Sequence, residues 1–409
     1  MVAMQVLVEE VSYTRKLLLN RPKQLNALSF QMISRLLELF LSYEEDSNVK
    51  LIILKGKGRA FSAGGDVAAV VRDISKGNFK LGAQFFCKEF ILNYVMATYS
   101  KPQVSILNGI VMGGGAGASM HGRFRVATEN SVFAMPETAL GLFPDVGASY
   151  FLSRLPGFFG EYVGLTGSRL DGAEMLACGL ATHFVPSPSL SSLEEALCKL
   201  NSTDPATISA NIDGFSEQPT LKERSSYCSF RQTLHVHMFN MHRGRKHTHL
   251  LLRGKKKNSS LLLLDIINKC FSRRTIEEII AALEKTAVNS TDDWISSTIK
   301  SLKTASPTSL KISLRSIREG RHQGVGQCLV REYRMVCNVM SGEISKDFFE
   351  GCRAILFDKD KNPKWEPSKL EFVTDNMVDR YFSKVEYEDW EDLKLPTRPN
   401  LPVHAIAKL

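Results

Sequence analysis

The sequence predicts an α/β core of alternating strands and helices, followed by a mainly helical C-terminal region. In the first half of the chain, short apolar segments bounded by Gly, Asn or Thr alternate with longer amphipathic segments, which is the pattern of an α/β core. After Leu264, apolar residues recur at helical spacing. A chain of 409 residues, of which 44% are hydrophobic and 23% charged, is long enough to bury such a core.

The elements of the first half follow from their side-chain patterns. Ser29 stands in front of an amphipathic segment as an N-cap residue, and it predicts a helix over 29–43. A second amphipathic segment predicts a helix over 83–98, and the continuous apolar run 51–55 predicts a buried strand. Further strands are expected at residues 5–8, 16–19, 104–107, 124–127 and 132–134.

The second half predicts five helices and a boundary in front of them. Spaced apolar residues indicate helices over 261–271, 275–287, 293–304, 309–319 and 325–340. The change of pattern indicates a boundary between residues 200 and 260. We therefore expect a core over residues 1–200, a connection over 201–264 and a helical region over 265–409.

Positive charge is concentrated in one segment. The net charge is +9, and residues 224–264 hold nine Lys or Arg and no Asp or Glu, so the rest of the chain is neutral. Five of the nine histidines lie there too, at His235, His237, His242, His247 and His249. No periodicity puts them on one face, so a basic arm and a His-rich metal site remain alternatives to a solvated insertion. We expect no nucleic-acid partner and no metal site.

Other features narrow the class of protein. The first residues lack a basic segment followed by an apolar one, and no run reaches the ~18 apolar residues that span a bilayer. We therefore expect neither secretion nor membrane insertion. The eight cysteines form no Cys-x-x-Cys pair, which predicts reduced thiols rather than a disulfide framework or a thiolate metal site.

Two glycine-rich segments follow predicted strands. Residues 112–117 read Met-Gly-Gly-Gly-Ala-Gly, and their backbone can present free N–H groups at the start of a helix. No Lys-Ser or Lys-Thr follows, which argues against a phosphate cradle. Residues 61–66 read Phe-Ser-Ala-Gly-Gly-Asp, where the glycines allow a sharp turn and Asp66 can cap a helix. On its own, this second segment is more typical of a plain turn.

Two carboxylates follow the glycine-rich residues 112–117. Glu137 stands in Met-Pro-Glu, and Asp145 stands in Phe-Pro-Asp-Val-Gly. Backbone donors next to acid/base groups suit chemistry on a carbonyl. The alternative is purely structural: Glu137 would cap a helix after Pro136, and Asp145 would stabilise a turn.

The order of these segments resembles the crotonase (enoyl-CoA hydratase/isomerase) superfamily, and within it the 3-hydroxyisobutyryl-CoA hydrolase family. The resemblance implies a crotonase-type ββα spiral core, with the helical region completing the cover of the active site. It extends over nearly the whole chain except about 222–264, which we interpret as a replaced stretch that damages the junction between core and helical region. The segments that carry the resemblance are 20–28, 61–66, 85–93, 109–121, 133–150, 165–185 and 351–365.

The resemblance also implies a site. The N–H groups of Gly65 and Gly114 would hold the thioester oxygen, and Glu89 would contact the substrate. Glu137 would attack the thioester carbonyl to give a mixed anhydride, or act as general base for water. Asp145 would transfer a proton or bind the substrate hydroxyl. The implied reaction is hydrolysis of 3-hydroxyisobutyryl-CoA in valine catabolism, with no cofactor because coenzyme A is part of the substrate.

Two other functions stay open at this point. Enoyl-CoA hydratases use a pair of glutamates, and the first would fall at Gly117, so its absence counts against water addition to a double bond. A hydratase or isomerase and a non-catalytic acyl-CoA-binding protein remain the alternatives. The resemblance further implies that Arg21 and Lys23 pair with the phosphates of coenzyme A, although exposed cations are often only solvated.

The last three residues suggest a cellular location. Ala407, Lys408 and Leu409 resemble the Ser-Lys-Leu signal that a peroxisomal import receptor reads. We therefore expect a peroxisomal protein resembling the plant type of this hydrolase, with the import receptor and acyl-CoA as partners. The resemblance is also compatible with a homo-oligomer.

Overall fold

The computed structural model describes residues 4–76, 79–222, 225, 263–288, 293–385 and 390–398. Nearly all of the basic, His-rich segment and the C-terminal tripeptide Ala407, Lys408 and Leu409 lie outside these residues. The interpretations attached to them therefore stay predictions.

A six-stranded sheet forms the first layer of the core. Its strand order is β1-β2-β3-β5-β7-β10, in which β1 and β2 are antiparallel and the others are parallel. Ile53 stands opposite Lys16 on β2 and Val104 on β5. The strands are Val6–Val11, Thr14–Leu19, Leu51–Gly56, Gln103–Leu107, Phe124–Ala127 and His183–Phe184.

A four-stranded sheet forms the second layer. Its order is β4-β6-β8-β9, with the first three strands parallel and β9 antiparallel. Along the chain, β3, β5 and β7 of the first sheet are each followed by a strand of this second sheet and then by a helix or helical turn. This repeated strand-strand-helix unit confirms the expected ββα core. The strands are Ala60–Ser62, Ile110–Met112, Val132–Ala134 and Leu170–Asp171.

Each face of the first sheet packs against a different apolar cluster. Because side chains alternate along a strand, Ile52 and Leu54 of β3 belong to the large cluster, whereas Leu51 and Ile53 belong to a smaller one. The smaller cluster also contains residues of the helices Leu190–Cys198 and Pro205–Asp213. The remaining helices pack into the large cluster.

Nine helices belong to the described part of the first half. As expected, Ser29 caps α1 by accepting a hydrogen bond from the N–H of Met32. Asp66 caps α2 in the same way. The helices α1 to α9 are Phe30–Glu45, Val67–Ser75, Phe79–Ala97, Gly114–Met120, Ala148–Leu152, Phe159–Thr166, Gly172–Cys178, Leu190–Cys198 and Pro205–Asp213.

The C-terminal helices pack directly onto the α/β core. Helix α14 lies against α3, and α13 lies against α5 and α6. One apolar cluster holds residues of both halves, including Phe90 and Val336. The helices α10 to α16 are Leu263–Phe271, Ile276–Ala287, Asp293–Thr304, Pro307–Gly320, Val325–Ser341, Asp347–Cys352 and Asp375–Phe382.

Sequence patterns identified the long elements better than the short ones. The five predicted C-terminal helices are confirmed, with ends that differ by up to two residues. The strands β4, β6, β9 and β10 were not predicted, because two or three residues are too few for a visible alternation. Helix α6 was also missed, because nearly all of it is buried and it therefore has no polar face.

Three observations concern the described residues only. No helix there has both the length and the apolar character to cross a membrane. No group of three or more His, Cys, Asp or Glu side chains there is arranged to hold a metal ion. The cysteines of this part of the chain are free thiols, as expected from their spacing.

Candidate active site

Glu137 is buried beside the glycine-rich segment. It begins a short 3₁₀ turn, Glu137–Leu140, directly after Pro136, and it is 5% exposed. Its Oε2 has no hydrogen-bond partner among the described residues, and burial raises the pKa of Glu137 to about 8.

Asp145 lies in a turn whose backbone is held in the left-handed region. Val146 has φ +55° and Gly147 has φ +81°, although β-branched residues rarely adopt positive φ. The carbonyl oxygen of Asp145 accepts a hydrogen bond of 2.8 Å from the N–H of Ala148. Burial, and then the charges of Glu89, Glu137 and Glu332, raise the pKa of Asp145 well above its usual value.

Glu89 is the third buried carboxyl of the site. It lies on α3 and is 1% exposed, and its Oε1 has no partner in the described part of the chain. Burial raises the pKa of Glu89 to about 8. A Cβ built on Gly114 would lie 2.4 Å from this Oε1, so Glu89 faces the start of α4.

Two backbone amides lie close together at the start of α4. The same Cβ on Gly114 would lie 2.9 Å from the backbone nitrogen of Gly65, so the two amides are neighbours. Gly114 is the first residue of α4, where the N–H has no partner within the helix. Among the described residues, no acceptor takes the N–H of Gly65 or of Gly114.

Close contacts explain the glycines of this corner. Gly113 has φ +48°, and a Cβ there would lie 2.8 Å from Oε1 of Glu137. A side chain at Gly113 or Gly114 would therefore collide with one of the carboxylates. Four of the predicted site residues, Gly65, Gly114, Glu89 and Glu137, meet in one place. The charges of Glu89 and Glu137 also act on Asp145. Such a set can polarise a carbonyl and move protons beside it.

Known proteins are similar to this chain in sequence and in fold. The family model described as enoyl-CoA hydratase/isomerase matches residues 14–259 and 245–382. The chain belongs to the enoyl-CoA hydratase/isomerase family.

Individual members of the family resemble the chain over its full length. It is 68% identical to 3-hydroxyisobutyryl-CoA hydrolase 1 of Arabidopsis thaliana, over 99% of this chain and 98% of that protein. It is 63% identical to the probable 3-hydroxyisobutyryl-CoA hydrolase 2 of the same plant, over 98% of both. The crystal structure of a carnitinyl-CoA dehydratase from Mycobacterium thermoresistibile is similar with a TM-score of 0.78 at 30% identity, covering 96% of this chain and 99% of that one.

Gly117, where the resemblance to hydratases implies the first of their two glutamates, leaves no room for a side chain. A Cβ on Gly117 would lie 2.6 Å from Cβ of Val146 and 3.0 Å from Nδ2 of Asn93. Real Cβ atoms essentially never approach another heavy atom this closely, so no side chain fits without movement. A carboxylate side chain at residue 117, which the resemblance implies for hydratases, therefore has no room in this protein.

Two buried side chains, His121 and Glu332, hold the turn that carries Asp145, and the sequence analysis predicted neither role. Nε2 of His121 donates to the carbonyl oxygen of Val146 over 2.8 Å. Glu332 on α14 accepts from the N–H of Gly147 over 2.6 Å and from the N–H of Ser149 over 2.9 Å. Nothing in the sequence links Glu332 to a turn some 185 residues earlier, because only tertiary packing brings them together.

The structure gives His121 a structural role. Burial lowers the pKa of His121 to about 4, so it is neutral at pH 7 and its Nε2 carries the proton that Val146 accepts. Asn93 is a third residue whose role the sequence analysis did not predict. It stands at the end of residues 85–93, one of the segments that carry the family resemblance.

The two expected coenzyme A contacts differ in their surroundings. Arg21 donates to the carbonyl oxygen of Ala27 over 2.5 Å and to Oδ2 of Asp66 over 3.0 Å, so its guanidinium is already paired inside the protein. Lys23 is exposed in the 3₁₀ turn Pro22–Gln24. A phosphate contact remains a prediction for both, and Lys23 is the better placed because its ammonium faces solvent.

Proposed function

We propose that the protein hydrolyses 3-hydroxyisobutyryl-CoA to 3-hydroxyisobutyrate and coenzyme A. The observation that carries the proposal is the site itself: buried carboxyls lie beside two free backbone N–H groups, while Gly117 leaves no room for the hydratase carboxylate. The names of the relatives that are 63–68% identical support the same substrate. The reaction needs water and no cofactor, since coenzyme A is the leaving group.

The N–H groups of Gly65 and Gly114 would bind the thioester oxygen. This oxygen gains negative charge when the carbonyl carbon is attacked, and two fixed donors stabilise that charge. Each donor of this kind contributes about 3 kcal/mol to transition-state binding in comparable enzymes. The buried position strengthens the effect because little water competes.

Glu137 would act in its ionised form by one of two routes. As a nucleophile, it attacks the carbonyl carbon and displaces the thiolate, and water then hydrolyses the mixed anhydride. As a general base, it removes a proton from the water that attacks directly. Both routes consume one water and release one carboxylic acid and one thiol.

Asp145 would supply the proton that the leaving thiolate needs. Its pKa is raised by burial and then by the neighbouring carboxylates, which favours the protonated form that a proton donor needs. Two carboxyls in one buried site thus divide the roles of base and acid.

A substrate panel with a free-thiol readout tests this function. The protein should release thiol from 3-hydroxyisobutyryl-CoA and should leave the double bond of crotonyl-CoA unhydrated. Hydration of crotonyl-CoA without thiol release would favour the hydratase alternative. Binding of acyl-CoA without either reaction would favour a non-catalytic acyl-CoA-binding protein.

We also propose that the protein works in peroxisomes, in the breakdown of valine. The support is the C-terminal tripeptide Ala407, Lys408 and Leu409, which an import receptor would read. A fluorescent protein fused to the N-terminus of the chain should collect in peroxisomes, and removal of Leu409 should leave it in the cytosol. Peroxisomal import that persists without Leu409 would contradict this location signal.

A further inference from the structure

Asn93 is a buried polar side chain that the chemistry above does not use. It lies on α3 one turn beyond Glu89 and is 1% exposed. Among the described residues, neither its Oδ1 nor its Nδ2 has a hydrogen-bond partner. Burying a complete amide without partners is costly, and a ligand that pairs with it would remove that cost.

Contacts place Asn93 next to Gly117 and the turn that carries Asp145. On α4, Gly114 faces Glu89, and Gly117 one turn later faces Asn93, with Nδ2 of Asn93 3.0 Å from a Cβ built on Gly117. That Cβ also points at Val146, the neighbour of Asp145. The resemblance to enoyl-CoA hydratases implies that their glutamate at the position of Gly117 acts on the acyl chain. The amide of Asn93 would therefore lie beside the acyl group of a bound substrate.

We propose that Asn93 binds the β-hydroxyl group of the acyl chain and thereby gives the enzyme its preference for β-hydroxyacyl thioesters. This inference rests on the proposed function. The thioester oxygen is bound by the N–H groups of Gly65 and Gly114, so the hydroxyl is the polar group of the acyl chain that still needs a partner. A hydroxyl both donates and accepts, and an Asn amide offers an acceptor and a donor.

A comparison of two substrates tests the assignment. Asn93→Leu removes both polar atoms at similar volume, and the assay compares kcat/KM for 3-hydroxyisobutyryl-CoA with kcat/KM for isobutyryl-CoA, which lacks the hydroxyl. The first value should fall about 10- to 100-fold, and the second should change less than about threefold. Because both values come from the same preparation, partial misfolding lowers them equally and cancels in their ratio.

Asn211→Leu is the matched control. Asn211 lies on α9, where its Oδ1 also has no partner in the described part of the chain, but α9 covers the opposite face of the six-stranded sheet. Its substitution should leave the ratio of the two kcat/KM values unchanged. If Asn93→Leu does not fold, Asn93→Ser is tested instead, because it keeps one hydroxyl group at this position. Its ratio of the two kcat/KM values should lie between that of the wild type and that of an enzyme with no preference for the β-hydroxyl.

The possible outcomes separate the hypotheses. An equal fall for both substrates overturns the assignment and indicates that Asn93 holds a water molecule or the fold. A wild-type protein that releases thiol from neither substrate refutes the proposed function itself. A selective loss for 3-hydroxyisobutyryl-CoA supports both.

Discussion

At the scale of single residues, the site is built at the expense of stability. Glu89, Glu137 and Asp145 are each at most 5% exposed, and the pKa of each is raised because burial disfavours the ionised form. Ionising them in the folded protein therefore costs free energy that the unfolded chain does not spend. The same environment keeps a proton available at neutral pH, which acid/base chemistry requires.

Glu137→Gln should therefore stabilise the protein at alkaline pH. The pKa of Glu137 is about 8 when folded and near 4.5 when unfolded, so wild-type stability falls as pH rises between these values. A neutral Gln removes this loss, and the free energy of unfolding should rise by about 1–3 kcal/mol at pH 8 and change little at pH 5. Thermal melts of both proteins at the two pH values measure this. Glu38→Gln, at an exposed carboxyl, is the control and should show no pH-dependent gain.

Some site residues lie in recognisable sequence motifs and could be predicted, whereas others are brought to the site only by folding. Glu137, Asp145, Gly65 and Gly114 lie in short motifs whose order along the chain identified them. Glu332 lies in an ordinary amphipathic helix, and only folding brings it to the turn of Asp145. Asn93 and His121 lie in matching segments, but an unpaired amide and a neutral imidazole are properties of their surroundings. Such properties cannot be inferred from residue type.

At the scale of elements, α4 approaches its neighbours so closely that it requires glycine. Gly117→Ala should lower stability by about 1–3 kcal/mol, because the new Cβ would lie 2.6 Å from Cβ of Val146. It should also lower kcat, because Val146 adjoins Asp145. Gly214→Ala is the control, since its nearest neighbour would be 3.3 Å away and its φ is −62°. Equal melting temperatures for the two variants would contradict the packing described here.

The turn that carries Asp145 depends on a helix from the other half of the chain. Glu332→Gln keeps the shape of the side chain, but its single amide oxygen can replace only one of the two carboxylate oxygens that accept from the N–H groups of Gly147 and Ser149. We expect kcat to fall about tenfold while KM changes little. Loss of the neighbouring negative charge should also lower the pKa of Asp145, so the alkaline limb of the pH-rate profile should move to lower pH.

Glu161→Gln is the matched control for that experiment. Glu161 is fully buried and pairs with Arg321 over 2.6 Å. Its loss should reduce stability without moving the pH-rate profile. If Glu332→Gln also lowered stability but left kcat and the pH-rate profile unchanged, Glu332 would have no role in positioning Asp145.

At the scale of the whole molecule, both halves of the chain share one core. This integration limits how far domain boundaries could be predicted, because the helical pattern after Leu264 suggested a separate region. The helices exist as predicted, but Val336 of α14 and Phe90 of α3 belong to the same cluster. Helical spacing reports which face is apolar, and it does not report which partner covers that face.

An ion pair between distant parts of the chain contributes to this integration. Arg398 binds Glu44 of α1 through two hydrogen bonds of 2.8 Å, with exposed side-chain fractions of 13% and 8%. Arg398→Ala should lower the free energy of unfolding by about 2 kcal/mol, because it leaves Glu44 buried without its partner. Lys394→Ala breaks an exposed pair with Glu391 and should cost less than about 0.5 kcal/mol. Equal effects of the two variants in denaturant unfolding would contradict a role of Arg398 in joining these parts.

The activity of Glu137→Gln tests the central claim most directly. Free thiol released from 3-hydroxyisobutyryl-CoA is measured for the wild type, for Glu137→Gln and for Asp145→Asn, with circular dichroism to verify folding. Gln supplies neither a nucleophilic carboxylate nor a base, so we expect kcat to fall about 10²- to 10⁴-fold, with a smaller fall for Asp145→Asn. A folded Glu137→Gln variant that hydrolyses the thioester as fast as the wild type would contradict the account.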